Sequence, residues 1–350
     1  MSTLTELAAT RQVLFVGGKG GVGKTAVASA LALAQSRAGR RTTVVSTDPA
    51  HNLGHLWQRR VGDTPVELAP LLRGVEIDPA RTTDEHLRAV RATMERLMPE
   101  HLQGEVRKHL ELAREAPGTH EAAVLERVAE VVEQRTPDEL IIFDTAPSGH
   151  TSRLMALPEL MQAWTEGLLR RQDRSARFGA ALRGLEGRTD PGEQQAVDIV
   201  GARRAPRREA GVSDPRREAG VSDRRARRDA EIRAVLDRRQ ERFRALREVL
   251  QDPDRAAFVI VLAAERLPVL ETIELEEQLR RAGMHVGGLV INKRSPSDAG
   301  DLLAARRQVE EGYVDQLTSA LPHQPVQEVP LLPGEVLGEE GLSLLAQHLR

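Results

Sequence analysis

The sequence predicts an α/β protein in which a mostly parallel sheet is covered by helices. Short, continuous apolar runs recur along the chain, and each leads into a loop with polar residues. Such runs are typical of strands that are buried in a parallel sheet. Stretches with helical apolar spacing separate them, and the first two runs flank a helical pattern as a βαβ unit.

The βαβ unit comes first in the chain. Its opening strand is predicted at 13–17 (VLFVG), and its helix runs from Thr25 to a glycine stop at Gly39. The second strand is predicted at 42–47 (TTVVST), directly before Asp48. The loop between the first strand and the helix therefore lies at the carboxyl end of a parallel strand, where open α/β sheets bind ligands.

Three further strands are predicted at 140–145 (LIIFDT), 257–263 (AFVIVLA) and 286–291 (VGGLVI). Because parallel strands share an edge for their carboxyl ends, the polar residues that follow these runs are expected to meet near the first loop. One domain is predicted over residues 11–350.

An inserted helical subdomain is predicted within that domain, from residues 84–135 and 155–250. A helix from Pro158 carries an apolar stripe that includes Leu157 and Leu168. Core packing is the ordinary role of such a stripe, and a surface for an apolar partner is the alternative. Residues 186–228 contain few apolar side chains, and we expect them to be mobile or disordered.

An identical nine-residue repeat, PRREAGVSD, stands at 206–214 and again at 215–223. Its period fits neither a helical stripe nor a solenoid. The arginines could contact nucleic acid or lipid headgroups, but the interleaved acidic residues favour a solvated segment. Binding to nucleic acid is therefore not expected.

Composition excludes several classes of function. The chain has a net charge of −2, 40% hydrophobic and 29% charged residues, and no cysteine. Disulfides, thiolate zinc sites and thiol coordination of metalloids are therefore excluded. No signal peptide and no apolar run long enough to span a bilayer is found, so a cytoplasmic, soluble protein without a transmembrane segment is expected.

The loop after the first strand reads GGKGGVGKT and contains the pattern G-x-x-x-x-G-K-[ST] from Gly18 to Thr25. Its glycines allow backbone N–H groups to converge on a phosphate, and the helix that follows adds its positive end. The pattern also arises by chance as a glycine-rich turn, but here it lies between a strand and a helix, as phosphate binding requires. The sequence thus predicts a P-loop NTPase.

The predicted ligands are ATP and Mg²⁺. Lys24 is expected to contact the β- and γ-phosphates, and the Thr25 hydroxyl is expected to bind Mg²⁺. The nucleotide-binding set in the loop comprises Gly18, Lys19, Gly20, Gly21, Val22, Gly23, Lys24, Thr25 and Ala26.

Polar residues after the other strands complete this prediction. Asp48 can orient the attacking water and contribute to the metal site. Asp144 suits Mg²⁺, through a water molecule, and either aspartate could instead cap a turn. Asn292 offers an amide that both donates and accepts, as an adenine edge requires.

Several motifs together resemble the family of ArsA and tail-anchored-protein-targeting ATPases. These are KGGVGKT from Lys19, STDPAHNLGHLW from Ser46, FDTAPSGHTSRLMALPE from Phe143, INKR from Ile291 and VPLLPGEVLGEEGL from Val329. The first is similar to the deviant Walker A of the MinD and ParA group. The second and third are similar to the family's switch I and switch II, and the resemblance covers about residues 11–165 and 255–350.

The resemblance implies a homodimer in which Lys19 reaches the partner's phosphates, although a solvated lysine is the simpler alternative. It also implies that Glu265 contacts nucleotide near the dimer interface, and that the segment from Pro330 to Glu335 surrounds the adenine. His150 in the SGHT sequence is then a structural residue of switch II, with a general base as the alternative. The implied client is an apolar helix or a membrane protein.

This chain departs from the family in two respects. It has one phosphate loop where the arsenical-pump type fuses two halves, and it lacks the cysteines of the metalloid site and of the zinc clamp. A relationship to the anion-pump type would then describe the ancestry of the chain only. A positioning ATPase like ParA or MinD is the alternative function, and a scaffold that binds ATP without hydrolysing it is a second rival.

Overall fold

The computed structural model describes residues 3–48, 52–97, 119–145, 234 and 237–350. The chain divides into two units, residues 1–161 with 242–350, and residues 162–241. The elements below belong to the first unit, which contains nearly all of the described residues.

A single sheet organises this unit. In the described part of the chain it has eight strands in the order β3-β4-β2-β5-β1-β6-β7-β8. Among these described strands, only β3 runs antiparallel to its neighbour, β4, and all other neighbouring pairs are parallel. The strands are β1 Val13–Gly17, β2 Thr42–Ser46, β3 Val66–Ala69, β4 Leu72–Glu76, β5 Leu140–Asp144, β6 Ala256–Leu262, β7 Val286–Arg294 and β8 Val326–Pro330.

Helices cover both faces of the sheet. Residues 242–251 are also helical. The other described helices are α1 Leu4–Thr10, α2 Lys24–Arg37, α3 Asn52–Trp57, α4 Pro79–Leu97, α5 Thr119–Glu133, α6 Arg266–Arg281, α7 Asp301–Ala320 and α8 Gly338–Gln347. In the residues that the structure describes, no helix combines the length and the apolar character that crossing a membrane needs.

The core consists of two apolar clusters, one on each face of the sheet. Strand β1 shows the division, because Phe15 belongs to one cluster and its neighbours Leu14 and Val16 to the other. The first cluster includes residues of α5, α6 and α7, and the second includes residues of α1, α2 and α8. Side chains alternate between the faces of a strand, so β1 is buried on both sides.

The predicted α/β class and its parallel sheet are confirmed. The runs predicted as strands correspond to β1, β2, β5, β6 and β7, and the helix predicted from Thr25 corresponds to α2. Strands β3, β4 and β8 were not predicted. They extend the sheet at its two edges and do not contribute to the phosphate loop.

The predicted helical subdomain falls only in part on described residues. Helix α5 lies within 84–135, and its Val124, Leu125 and Val128 are buried in the same cluster as β1 and β5. This stretch thus shares a core with the sheet. The apolar stripe after Pro158, the residues 186–228 with their repeat, and His150 lie outside the described residues.

Candidate nucleotide-binding site

The phosphate loop joins β1 to α2 at the carboxyl edge of the sheet, between the ends of β5 and β6. Two glycines in it are required by the backbone. Gly18 has a φ of +140°, and a Cβ there would lie 2.0 Å from the carbonyl oxygen of Val261. Gly23 has a φ of +95°, and a Cβ there would lie 2.4 Å from Nδ2 of Asn292. Larger residues would therefore push the loop away from β6 and β7.

Lys24 begins α2, and its side chain is buried inside the loop. Its Nζ donates a hydrogen bond to the carbonyl oxygen of Lys19 at 3.0 Å. Burial lowers the pKa of Lys24, while the negative charges of Asp144 and Asp48 act in the opposite direction. The ammonium group thus lies where the loop surrounds it and where two carboxylates are near enough to act on it.

Asp144 lies beside α2 at the end of β5, and its side chain is fully buried. Its Oδ2 accepts hydrogen bonds from the hydroxyl of Thr25 at 2.7 Å and from the hydroxyl of Ser46 at 3.4 Å. Burial raises the pKa of Asp144 to about 7, against the opposing effects of the Thr25 hydrogen bond and of Lys24. The strands therefore bring two predicted metal ligands, Thr25 and Asp144, into direct contact.

Asp48 follows β2, on the other side of the same group. Its backbone N–H donates to the Ser46 hydroxyl at 3.3 Å. Its carboxylate acts on both neighbours, since it raises the pKa of Lys24 and that of Asp144. Asp48 is thus close enough to Lys24 and Asp144 to interact with their charges, at the carboxyl edge of the sheet where the sequence predicts it.

The donor set at Asp144 fits Mg²⁺. Within the described part of the chain, Oδ1 of Asp144 is buried and has no hydrogen-bond partner. A buried carboxylate oxygen of this kind is costly unless a cation or a water molecule satisfies it. Hydroxyl and carboxylate oxygens are the ligands that Mg²⁺ uses, with one or two carboxylates and substrate phosphates completing the shell. No group of three or more acidic, His or Cys residues in the described segments forms a separate metal site.

Asn292 and Lys293, at the end of β7, hold the phosphate loop from the other side. Nδ2 of Asn292 donates to the carbonyl oxygen of Val22 at 2.8 Å, and Oδ1 accepts from the Lys293 N–H at 2.9 Å. Lys293 adopts a φ of +58°, and its Nζ donates to the carbonyl oxygen of Gly21 at 3.2 Å. Asn292, predicted to contact adenine, thus braces the loop in this structure.

Lys19 lies at the mouth of the loop. Its Nζ forms an ion pair with Oε1 of Glu271 on α6, at 2.9 Å, and both side chains are about one-third exposed. Glu265, directly before α6, forms an exposed ion pair with Arg306 of α7, at 3.0 Å. A cavity of about 560 Å³ separates the loop from this surface, and its lining includes Lys19, Glu265, Lys293 and Arg306.

The C-terminal segment lies further along the sheet. Pro330 ends β8, where it is in register with Arg294, and the Leu331 N–H donates to the carbonyl oxygen of Arg294 at 2.8 Å. Glu335 follows in an exposed loop before α8. The segment predicted around the adenine is thus tied to β7 two residues after Asn292.

Sequence reasoning missed four residues that this edge uses. Ser46 reaches Asp144, Lys293 reaches Gly21, Glu271 holds Lys19, and the buried Glu76 holds the start of α3. Lysine is rare in this chain, with four among 50 basic residues, and this scarcity is a signal that could have found Lys293. No comparable signal singled out the other three.

A glycine-rich loop between a central strand and a helix, with a buried lysine, a hydroxyl and two aspartates, defines a P-loop nucleotide-binding protein. The sequence model of the anion-transporting ATPase family matches residues 11–202 and 218–350. The chain therefore belongs to the ArsA-type anion-transporting ATPases, and it is an ATP hydrolase of that family.

Curated relatives match over almost the whole chain. An ATPase ASNA1 homolog of Leishmania braziliensis is 31% identical over 99% of this chain and 95% of its own length. The ATPase GET3A of Arabidopsis thaliana is 30% identical over 94% of this chain and 81% of its own length. A putative arsenical pump-driving ATPase 2 of Aquifex aeolicus is 28% identical, over 97% and 99%. The resemblance found from the motifs is thus confirmed.

Proposed function

We propose that the chain is a homodimeric switch that hydrolyses MgATP and changes its affinity for an apolar client. The observation that carries the hydrolytic part is the group formed by Lys24, Thr25 and Asp144, whose buried Oδ1 lacks a partner in the described structure. A cation bound at this oxygen would satisfy it. The proposal therefore makes ATP and Mg²⁺ the ligands of this edge.

The residues divide the work of hydrolysis. The backbone N–H groups of the loop and the Lys24 ammonium hold the phosphates. Thr25 and Asp144 would hold Mg²⁺, with Asp48 nearby, and the bound ion would offset the charge that develops on the phosphate oxygens. Asp48 orients the attacking water and accepts its proton. ATP and water yield ADP and phosphate.

The dimer depends on Lys19. An exposed loop lysine can act on a second subunit only if its own partner releases it, and here that partner is Glu271 at 2.9 Å. An ion pair that is about one-third exposed is weakly held, at about 1 kcal/mol or less, so the phosphates of an opposed subunit can displace it. The exchange of Glu271 for phosphate would couple ATP binding to the closing of the dimer, which is expected to be two-fold symmetric.

The client part rests on the sequence. Asp144, at the end of β5, is followed within about ten residues by the run LMALPELMQAW, so the proposed metal site lies close in sequence to an apolar stripe. An apolar helix, such as the membrane segment of a client protein, would suit that stripe. The family's description names anion transport, and without cysteine this chain would bind an anion by some means other than thiolate ligands. A cytoplasmic location remains a prediction.

Phosphate release tests the hydrolytic proposal. Wild-type protein is expected to release phosphate from ATP with Mg²⁺ and to stop when the metal is chelated. Asp48→Asn is expected to bind a fluorescent ATP analogue as wild type does and to lose turnover by at least about 100-fold, as for the loss of a general base. Asp138→Asn, just before the amino end of β5 and so far from the phosphate loop, is the matched control and should leave turnover unchanged. Undiminished turnover in Asp48→Asn would overturn the assignment.

The switch needs a separate experiment. A labelled apolar helix of about 20 residues, long enough to span a bilayer, is titrated with the protein in MgATP and then in MgADP. Sedimentation in the same two states measures the dimer. Binding that differs between the nucleotides supports the switch, and equal binding or none would restrict the proposal to hydrolysis.

A further inference from the structure

Glu76 is a buried carboxylate for which the proposed hydrolysis has so far assigned no role. It ends β4, and only 4% of its surface is exposed. Its Oε1 accepts two backbone hydrogen bonds, from the N–H of Leu53 at 2.9 Å and from the N–H of Gly54 at 3.1 Å. These amides belong to the first turn of α3, where the N–H groups have no partner within the helix. A carboxylate supplies both a partner and a favourable charge there.

Asp48 and the first residue of α3 are separated in sequence by residues 49–51 only. The chain before Asp48 is held by the sheet, since Thr47 N–H donates to the carbonyl oxygen of Asp144 at 2.9 Å. Ser46 is in register with Glu76, and the Ile77 N–H donates to the Ser46 carbonyl oxygen at 2.9 Å. Glu76 therefore lies next to the strand that leads into Asp48 and holds the helix that follows it.

Two further contacts fix α3 in place. A Cβ at Gly54 would lie 2.9 Å from the carbonyl oxygen of Arg59, which leaves no room for a larger residue, and 3.4 Å from Oε2 of Glu76, an ordinary van der Waals contact. At its other end, Nε1 of the buried Trp57 donates to the hydroxyl of Ser29 on α2, at 3.1 Å. The short helix is thus bound to β4 at its start and to the helix of the phosphate loop at its end.

We propose that Glu76 is a positioning residue for ATP hydrolysis, which acts by fixing the chain on the C-terminal side of Asp48. The proposal rests on the proposed role of Asp48. With both sides of a short connection fixed, the Asp48 carboxylate is confined to a small range of positions relative to Lys24 and the γ-phosphate. A displacement of about 1 Å in a catalytic group can lower a rate by about 100-fold. Binding of ATP, which the phosphate loop provides, should be affected far less.

The experiment compares Glu76→Ala with Glu76→Gln, in the full-length protein. Glu76→Ala removes the acceptor and is expected to lower kcat by about 10- to 100-fold, while KM and the affinity for a fluorescent ATP analogue change less than about threefold. Glu76→Gln keeps an acceptor oxygen but not the charge, so it should restore only part of the lost rate and stay below the wild-type kcat. Glu67→Gln, on the exposed side of β3, is the matched control and should behave as wild type.

Hydrogen exchange provides a readout that does not depend on catalysis. The amides of Leu53 and Gly54 should exchange faster in Glu76→Ala than in wild type, with Glu76→Gln between them. Faster exchange with unchanged kcat would overturn the positioning role, as would parallel losses of kcat and ATP affinity, which mark a general structural defect. If Glu76→Ala does not fold, a kcat in Glu76→Gln below the control with unaltered ATP affinity supports the proposal, and an unaltered kcat overturns it.

The Asp48→Asn variant, assayed in parallel, separates this inference from the proposed function. If Asp48→Asn hydrolyses ATP normally, the assignment of Asp48 has failed, and a rate effect of Glu76 cannot act through it. If Asp48→Asn is inactive and Glu76→Ala matches wild type, the function stands and the inference about Glu76 is wrong.

Discussion

Two ion pairs at the carboxyl edge of the sheet have the same length and opposite surroundings. Arg294 of β7 and Glu310 of α7 are 2.9 Å apart, with only 1% and 5% of their side chains exposed. Lys19 and Glu271 are also 2.9 Å apart, with 36% and 38% exposed. Burial, and not distance, therefore distinguishes a pair that fixes the fold from a pair that can exchange partners.

The buried ion pair of Arg294 and Glu310 is stabilised by several further contacts. Glu310 also accepts from the Ser295 N–H at 3.0 Å, from the Ser295 hydroxyl at 2.6 Å and from Arg306 Nε at 3.1 Å. Burial alone would raise the pKa of Glu310, but these hydrogen bonds and the charge of Arg294 lower it overall. The region after β7 is thus a rigid support for Asn292 and Lys293, while Lys19 projects from the same edge on a pair that water can reach.

The largest effect is expected for Asp144, a buried acid whose Oδ1 has no hydrogen-bond partner among the described residues. Its pKa is raised to about 7 in the folded protein from 3.8, so the carboxyl holds its proton in the folded state over a range where the unfolded chain has lost it. The stability that this proton contributes is therefore fully present below about pH 4 and is lost as pH rises through about 7. Roughly three pH units at about 1.4 kcal/mol each set an upper limit near 4 kcal/mol.

Urea unfolding between pH 4 and 8, with the metal chelated, measures this dependence. Asp144→Asn stays neutral and should remove it, while Asp138→Asn should keep the wild-type slope. If the free energy of unfolding depends on pH in the same way in Asp144→Asn and in wild type, Asp144 is ionised in the folded protein. Burial would then not distinguish Asp144 from an exposed carboxylate.

The next effect concerns Arg294. Arg294→Met removes the cation from a buried pair and should lower the free energy of unfolding by about 3 kcal/mol, at the lower end for such pairs because Glu310 keeps Ser295 and Arg306. Arg307→Met is the control, since Arg307 contacts Glu311 and Glu328 from a position that is 30% exposed. Urea unfolding measures both variants. Equal losses in the free energy of unfolding would show that burial does not distinguish the two kinds of ion pair.

The smallest effect is expected for Glu271. Glu271→Gln should change the free energy of unfolding by less than about 1 kcal/mol, because the pair with Lys19 is solvated. Since Lys19 is then free to meet a second subunit, the ATP-dependent dimer should tighten, by up to about fivefold. Sedimentation in MgATP measures this, with Glu277→Gln as the control on the same helix, where Glu277 pairs with Arg281. A weaker dimer would show that Glu271 does not compete for Lys19.

The same contrast explains what the sequence could predict. Strands β1, β2, β5, β6 and β7 have apolar runs that are largely buried on both faces, and such runs are visible without any partner. Strand β8 (VQEVP) mixes polar and apolar residues, as do β3 and β4, so none of the three has a continuous apolar run. Their pairing depends on neighbours that lie far away in sequence or that form a hairpin.

Within the site, local pattern predicted what lies in the loop or directly after a strand. Gly18 to Thr25, Asp48 and Asp144 follow that rule, and they do lie at one edge. Glu76 and Glu271 do not, because each is an ordinary glutamate whose importance comes from the residue it meets, 23 and 252 positions away. The described contacts leave the roles of Lys19, Glu265, Pro330 and Glu335 toward nucleotide as predictions.

The hydrogen bond between Trp57 and Ser29 also allows movements of α3 to be followed by intrinsic tryptophan fluorescence. The chain has two tryptophans, Trp57 and Trp164, so replacing Trp164 by phenylalanine leaves a single indole, on the helix that follows Asp48. That indole is 4% exposed and bonded to α2, the helix that begins at Lys24, and its emission should be that of a buried, hydrogen-bonded ring. Any movement of this helix away from α2 would expose the ring to water and shift its emission to the red, so each turnover could be followed in real time without a label.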